Sequence, residues 1–279
     1  MIRKLFVTSV LCLGLAATAA AQTLTTHFKG RYGALEIYDP QTKLSFRVNT
    51  PRLAQRMSPC ATFQLPQAAI ALTTGVIKFD QNSIAFDAAR HPDASAWPES
   101  WRQNQTLQSA LTDSVRWYTA ELAQRIGSQR MSQQLARIKY GNADVSGGLD
   151  RFWHSSSLRV STLEQVEFVR AFREGRLGFP QRVVKTVGEA LVLERGADYV
   201  IRGKYGSCAG DDGYQIGWLV GWAERNGKVW YFGLNLDGTS IADFAGARLP
   251  IVHGAMAELG FLPPPTRVAP PKPVAQPAS

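Results

Sequence analysis

The chain has 279 residues, of which 45% are hydrophobic and 19% are charged, and its formal net charge is +9. This length is compatible with one large domain that buries a sizeable core. The basic residues are scattered along the sequence, so the charge indicates a solvated basic surface and argues against nucleic-acid binding.

The N-terminus has the pattern of a secretory signal peptide over residues 1–21. A short basic segment, MIRK, precedes an apolar stretch that ends in small residues before Gln22. The alternative is a membrane anchor, but the apolar stretch is short for a bilayer span, and Thr8 and Ser9 interrupt it. We therefore expect an exported chain, periplasmic or secreted, that begins near Gln22 and contains no further membrane span.

The first half of the exported chain predicts two strands followed by helices. Alternating apolar and polar residues over 32–39 and 44–49 predict a β-hairpin. Apolar residues at helical spacing then predict three helices, over 107–127, 128–138 and 161–175. The last of these begins with a capping box, in which Glu164 follows Ser161 by three residues.

The second half returns to a period of two and predicts three strands, over 198–208, 214–224 and 229–237. Asn226 and Gly227 between the last two strands suit a type I′ turn. A closing helix is predicted over 249–260. Two strands thus precede a long helical block, and three strands and a helix follow it. This segregation of strands from helices predicts an α+β fold with a five-stranded antiparallel sheet, flanking helices and a helical subdomain.

The C-terminal stretch 263–279, PPPTRVAPPKPVAQPAS, holds seven of the fifteen prolines and almost no large apolar residues. Such a composition does not form a packed core. It predicts an extended, disordered tail that is available to a protein partner.

Two cysteines remain after the signal peptide is removed, because Cys12 lies within it. In an oxidising compartment, Cys60 and Cys208 suggest one disulfide bond. The alternative is two buried free thiols that pack as small apolar groups.

Four short stretches occur in a specific order: CATFQLP, DSVRW, KYGNADVSGGLDRFW and GKYGSC. Together they resemble the class D serine β-lactamases and their penicillin-binding transpeptidase relatives, over about residues 30–261. The resemblance implies a β-lactamase/transpeptidase-like domain over 22–262. It also implies that the first stretch should supply a nucleophilic serine and, three residues later, a lysine that is typically carboxylated and acts as general base.

Both of these positions depart from the family pattern. The nucleophile position is Ala61, which has no group that can attack a carbonyl, and the lysine position is Gln64, an amide that does not act as a base. In the second stretch Ser114 matches the proton-passing serine, but Arg116 replaces the valine that follows it by two residues. No lysine in the chain has a serine three residues before it, so the pair has not moved elsewhere.

The carboxylate-binding stretch is altered as well. Lys204 and Gly206 match the family's Lys-Thr/Ser-Gly, but Tyr205 places a large ring where a small hydroxyl is expected. Arg248 matches the arginine with which many class D enzymes bind the substrate carboxylate. The resemblance therefore implies a set of candidate ligand-binding residues: Ser114, Arg116, Lys204, Tyr205 and Arg248.

The third stretch is retained. Tyr140, Gly141 and Asn142 match the family's Tyr-Gly-Asn, and Trp153 matches the tryptophan that steadies the modified lysine in the family. Without that lysine we expect these four residues to be structural, since glycine and asparagine suit a tight turn and a tryptophan suits a core.

The resemblance also bears on the cysteines. Some class A carbapenemases, which share the fold, join the same two relative positions by a disulfide bond. It therefore implies a bond between Cys60 and Cys208 across the floor of the cleft.

Two hypotheses for function follow. The first is a pseudoenzyme that binds a β-lactam-like or peptidoglycan-peptide ligand, or a partner, in the old cleft, or that serves as a scaffold. The second is a weak β-lactam hydrolase that uses unorthodox groups. No cofactor is expected, and the four histidines have no spacing that indicates a metal site.

Overall fold

The computed structural model describes residues 23–265 of the chain. The predicted signal peptide, residues 1–21, and all but three residues of the predicted tail, 263–279, lie outside the described residues. Residues 263–265 are irregular. Within this described part, no helix combines the length and the apolar character that crossing a bilayer requires.

The described residues contain a six-stranded antiparallel sheet in the order β2-β1-β6-β5-β4-β3. The strands are β1 (Gly33–Asp39), β2 (Leu44–Val48), β3 (Val192–Arg195), β4 (Tyr199–Ala209), β5 (Gln215–Arg225) and β6 (Lys228–Gly238). The α+β prediction is confirmed, and the predicted hairpin is β1–β2. The predicted number of five strands is wrong.

The strand that the sequence did not predict is β3, a four-residue edge strand that pairs only with the beginning of β4. Its sequence, VLER, directly follows a helix and has two apolar residues and then two charged ones instead of an alternation. The backbone N–H of Gly203 donates to the carbonyl of Leu191 at 2.8 Å, just before β3. Tertiary pairing with β4, and not a local pattern, therefore makes this segment a strand.

Nine α-helices lie within residues 23–265. They are α1 (Thr50–Leu53), α2 (Gln64–Thr73), α3 (Leu107–Thr112), α4 (Arg116–Ile126), α5 (Ser128–Arg137), α6 (Thr162–Arg173), α7 (Gln181–Ala190), α8 (Ala242–Ala245) and α9 (Arg248–Glu258). The capping box at Ser161 and Glu164 is present at the start of α6. The helix predicted over 107–127 is instead two helices, α3 and α4.

The break between α3 and α4 occurs at Ser114, whose φ of +56° lies in the left-handed region. A helix does not continue through such a residue, so the chain changes direction there. Ser114 is therefore at a corner between two helices and not on a helix face. Asp113 and Ser114 are both residues that favour helix ends, so the sequence does contain a signal for this break.

Helices cover both faces of the sheet. On β5, Trp218, Val220 and Trp222 pack into one hydrophobic cluster, which includes residues of α6. The alternate residues Leu219 and Ala223 pack into a second cluster, which includes residues of α9. Because both faces are buried, β5 is apolar along nearly its whole length, as expected of a central strand.

Candidate functional site

The candidate site lies between the edge of β4 and the turn that precedes α2. β3 pairs with β4 only as far as Arg202, so the second half of β4 has no neighbouring strand on that edge. A 3-10 turn, Cys60–Phe63, packs there and continues directly into α2. A Cβ atom at Gly206 would lie 2.9 Å from the carbonyl oxygen of Pro59, so glycine permits this close approach.

A disulfide bond between Cys60 and Cys208 joins this turn to β4. The two Cα atoms are 5.6 Å apart, and both side chains are buried. The bond confirms the pairing that the resemblance implied. Because Ala61 follows Cys60 directly, the bond also fixes the position of Ala61 relative to the strand that carries Lys204 and Tyr205.

A cavity of about 560 Å³ opens between these elements. Nine of the residues singled out from the sequence line it: Ala61, Gln64, Ser114, Arg116, Trp153, Tyr205, Gly206, Cys208 and Arg248. Among the described residues that line it there are two arginines and no aspartate or glutamate. A larger space, about 740 Å³, lies beside α9, but none of these residues lines it.

Gln64 is held by hydrogen bonds at the position where the family has its lysine. Its Nε2 donates to Thr119 Oγ1 at 2.7 Å, and the side chain is buried. Its Oε1 is buried without a hydrogen-bond partner among the described residues. An amide has no basic lone pair at neutral pH, so this group does not remove a proton from a neighbouring hydroxyl.

Ser114 and Lys204 form a pair at the back of the cavity. Lys204 Nζ donates to Ser114 Oγ at 2.5 Å. Lys204 is buried and does not itself line the cavity, so the structure places this predicted ligand-binding residue behind Ser114. Burial, and then the positive charge of Arg248, lowers the pKa of Lys204 to about 7, although Asp113 opposes this effect.

Removing this buried amine should stabilise the protein. A pKa lowered from its ordinary value means that the folded state binds the proton of Lys204 less well than the unfolded state, so folding is opposed while the amine is protonated. We expect Lys204→Met to raise the free energy of unfolding by about 1–3 kcal/mol at pH 6. The gain should shrink as the pH rises above 7, because the wild-type amine becomes neutral in the folded state.

The measurement is guanidinium unfolding of both proteins at pH 6, 7.5 and 9. Lys185→Met is the matched control, since Lys185 is exposed on α7 and its replacement should have little effect at any of these pH values. A difference between Lys204→Met and wild type that is independent of pH would contradict this account.

Arg248 is a buried cation that has no carboxylate partner among the described residues. Its Nη1 donates to the carbonyl of Gly206 at 2.9 Å and to Ser207 Oγ at 3.0 Å. The guanidinium carbon lies 4.6 Å from the ring centre of Tyr205. Burial lowers the pKa of Arg248 to about 10, so it remains charged at neutral pH.

Tyr205 is the large residue of the altered Lys-Tyr-Gly stretch. Its ring packs on Arg248 and thereby covers part of the cation that would bind a substrate carboxylate in the family. Burial raises the pKa of its hydroxyl, so the hydroxyl is neutral and can donate a hydrogen bond into the cavity. Tyr205 therefore occupies space in the cavity beside Arg248.

Arg116 is the accessible cation of the cavity. Its guanidinium lies over the ring of Trp101, with 5.5 Å between the guanidinium carbon and the ring centre, and its Nη1 is 3.5 Å from His154 Nε2. Burial, and then the charge of Arg116, lowers the pKa of His154. A neutral imidazole can accept a hydrogen bond from the N–H of Arg116. Trp101, Arg116 and His154 all line the cavity and form one of its walls.

Tyr140, Gly141 and Asn142 do not line the cavity. Tyr140 is buried, and its hydroxyl is 3.2 Å from Gln165 Oε1. Asn142 Oδ1 accepts the backbone N–H of Arg159 at 2.9 Å. These contacts join the turn to the following segment, so they support a structural role. Trp153 both lines the cavity and stacks on Phe63, with 5.4 Å between the ring centres.

Gly141 should not tolerate a side chain. Its φ is +54°, and a Cβ atom would lie 2.0 Å from the carbonyl oxygen of Arg159. We expect Gly141→Ala to lower the free energy of unfolding by about 2–4 kcal/mol, because backbone must move to accommodate the methyl group. Gly75→Ala is the matched control: φ is +71°, but a Cβ atom meets nothing within 4 Å. Equal losses in the two variants, measured by chemical unfolding, would contradict the steric explanation.

Several residues of the site were not predicted from the sequence as site residues: Trp101, His154, Ser207, Gln215 and Ile241. Trp101 ends a three-residue 3-10 helix and Ile241 lies in a turn, and such short segments offer no periodic signal in the sequence. His154 and Ser207 each follow a matched motif residue directly, so adjacency to a motif would have identified them.

The comparisons with known proteins agree with this geometry. Residues 33–256 match the model of the penicillin-binding protein transpeptidase domain. The chain belongs to this family. It is similar to the β-lactamase OXA-48 of Klebsiella pneumoniae, with 32% identity over 83% of this chain and 84% of that protein.

Two solved structures show the same fold. The class D β-lactamase YbXI from Nostoc is 31% identical with a TM-score of 0.80, covering 86% of this chain and 99% of that one. The C-terminal domain of the Bacillus licheniformis BlaR penicillin receptor is 26% identical with a TM-score of 0.79, covering 86% of this chain and 96% of that one. The predicted β-lactamase/transpeptidase-like fold is thus confirmed, and the family includes both hydrolases and a receptor among these relatives.

Proposed function

We propose that the protein is a non-hydrolysing relative of the class D β-lactamases that binds an anionic ligand in the cavity between β4 and α2. The observation that carries this proposal is Ala61. It lines the cavity at the position of the nucleophile, where its methyl group has no lone pair with which to form an acyl-enzyme.

The loss of the base supports the same conclusion. Gln64 is buried and hydrogen-bonded to Thr119, so it occupies the place of the lysine without its chemistry. Acylation of a serine requires both the hydroxyl and a group that takes its proton. A variant that restores only the serine or only the lysine would therefore still lack the other group that acylation requires.

The charge of the cavity supports an anion as the ligand. Arg116 and Arg248 line it, and Lys204 lies behind Ser114. Buried cations without carboxylate partners are costly to a fold, and natural proteins retain such costs mainly at functional sites. The carboxylate of a β-lactam-like molecule or of a peptidoglycan peptide has the charge that this cavity lacks. The BlaR domain, which is named a penicillin receptor, is a similar chain whose name describes binding.

A second candidate function is a weak β-lactam hydrolase, and one observation favours it. Ser114 Oγ is 2.5 Å from Lys204 Nζ, and the pKa of this lysine is about 7, so part of the population has a neutral amine beside a hydroxyl. Such a pair can activate a serine. Activity of this origin would disappear in Ser114→Ala.

Two measurements test the proposed function. Hydrolysis of a chromogenic cephalosporin should not exceed background. Calorimetry with benzylpenicillin and with a D-alanyl-D-alanine peptide should detect binding, and Arg116→Ala should weaken it about 3- to 10-fold. Arg125→Ala is the control, because Arg125 is on the same helix, α4, and pairs with Glu121 away from the cavity. No heat at millimolar ligand would contradict the binding proposal and favour a scaffold.

We further propose that residues 22–262 form an exported domain and that the proline-rich tail binds a protein partner. The basic and apolar N-terminal pattern supports export. N-terminal sequencing of the protein from the periplasm or medium of a bacterial host should give a chain that begins near Gln22. An intact N-terminus in the cytoplasm would contradict export.

A further inference from the structure

A second groove, of about 680 Å³, lies beside the cavity and is lined by tyrosine rings and polar side chains. Three large hydrophobic residues are exposed in the described part of the chain: Tyr32, Tyr214 and Ile241. Tyr32 and Tyr214 line this groove, and Ile241 lines the neighbouring cavity. Exposed aromatic residues that collect in one concave place indicate a binding surface, whereas single ones do not.

Tyr32 presents one face of its ring to solvent. Its other face is covered by Arg52, whose guanidinium carbon is 5.0 Å from the ring centre. Arg52 is itself buried and fixed by Asn235, to whose Oδ1 it donates at 2.8 and 2.6 Å, and by an ion pair with Asp237. Tyr32 as a whole residue nevertheless remains 60% exposed. A rigid support behind an exposed ring is a pre-organised platform for stacking.

Tyr214 supplies a second aromatic surface from the turn between β4 and β5, and it is 48% exposed. Planar hydrogen-bonding side chains line the same groove, including Gln55, Asp212 and Asp237. Gln55 and Asp212 are exposed, so their hydrogen-bonding groups are available to a ligand.

The charges of the groove exclude a polyanion. The described residues that line it include two arginines and three aspartates. Arg52 is already paired with Asp237, and Arg31 Nε donates to the carbonyl of Asp243 at 2.8 Å. Nucleic acid requires a positively charged groove in addition to aromatic platforms, so a polynucleotide does not fit. A neutral ligand that has flat apolar faces and many hydroxyl groups does fit.

We propose that this groove binds a saccharide. The ring faces of Tyr32 and Tyr214 would pack on the C–H faces of sugar rings, while Gln55 and the aspartates would accept or donate hydrogen bonds to sugar hydroxyls and amides. The groove is distinct from the cavity that holds the family's motif positions, because no residue lines both.

The test is a titration of the full chain with chitotetraose, a neutral oligosaccharide, in which binding is measured by calorimetry or NMR. We expect binding, and we expect Tyr32→Ala/Tyr214→Ala to weaken it by more than about 10-fold, since each ring stacks independently. Tyr32→Phe/Tyr214→Phe should retain most of the affinity, because the stacking faces remain. Lys185→Ala is the control and should bind as the wild type does, because Lys185 is exposed on α7 and lines neither the groove nor the cavity.

No binding at millimolar chitotetraose would overturn the proposal, and so would binding that the double alanine variant leaves unchanged. The saccharide carries no carboxylate and requires neither Arg116 nor Arg248. Failure of chitotetraose to bind would therefore leave the proposed function of the cavity standing. Failure of the cavity to bind penicillin would likewise leave the saccharide proposal standing.

Discussion

The double variant Ala61→Ser/Gln64→Lys should form a covalent adduct with a fluorescent penicillin, whereas Ala61→Ser alone should not. A serine at position 61 would lie on the fixed turn beside the disulfide bond, and a lysine at position 64 would enter the buried site that Gln64 now fills. A positioned general base contributes about 10²–10⁴-fold to such a reaction. We therefore expect acylation of Ala61→Ser alone to be slower by about that factor, so that no adduct is detected within the time that labels the double variant.

The control is Ala61→Gly/Gln64→Lys, which adds the lysine without a nucleophile and should remain unlabelled. Strong labelling of Ala61→Ser alone would show that the lysine is not required as a base. Absence of labelling in the double variant would mean that Tyr205 and Arg116 exclude the penicillin, and the loss of the serine and lysine would not be the decisive change.

Loss of the disulfide bond should lower the stability of the protein more than the other substitutions considered above. The bond closes a loop with a sequence separation of 148 residues. For a loop of this length the chain-entropy model gives about 5 kcal/mol at 25 °C. Cys60→Ala/Cys208→Ala should therefore lower the free energy of unfolding by about 3–5 kcal/mol and the melting temperature by about 10–15 °C.

Guanidinium unfolding with and without a reducing agent measures this effect. The wild type should lose stability when reduced, and the double alanine variant should not respond to the reductant. A loss below about 1 kcal/mol would show that the packing of the turn on β4 supports the site without the bond. Free-thiol titration of the denatured, unreduced chain is an independent check, and it should find no reactive thiol among Cys60 and Cys208.

The sequence predicted those parts of the molecule that have a local pattern. The alternation in β1, β2 and β4 to β6 identified five strands, and the capping box identified the start of α6. The motif order also located the residues that meet at the cavity, because the positions of Ala61, Ser114 and Arg248 follow from the family's spacing and are brought together by the fold.

The remaining features depend on tertiary contacts. β3 is a strand only because β4 pairs with it. Lys204, one of the predicted ligand-binding residues, is buried against Ser114 and does not line the cavity, a placement that follows from its contact with the corner between α3 and α4. The stacking of Tyr205 on Arg248 joins residues that are 43 positions apart, and no sequence period connects them. The groove with Tyr32 and Tyr214 likewise joins the beginning of the domain to a turn near its end.

The central claim is that the protein has no working nucleophile, and covalent labelling of the wild-type chain tests it most directly. The purified protein is incubated with a fluorescent penicillin, denatured, and separated by electrophoresis, with the double variant Ala61→Ser/Gln64→Lys as the positive control. We predict no fluorescent band for the wild type, because Ala61 cannot be acylated. A band that survives denaturation, with the label located on Ser114 by mass spectrometry, would contradict the account and identify the Ser114–Lys204 pair as a catalytic one.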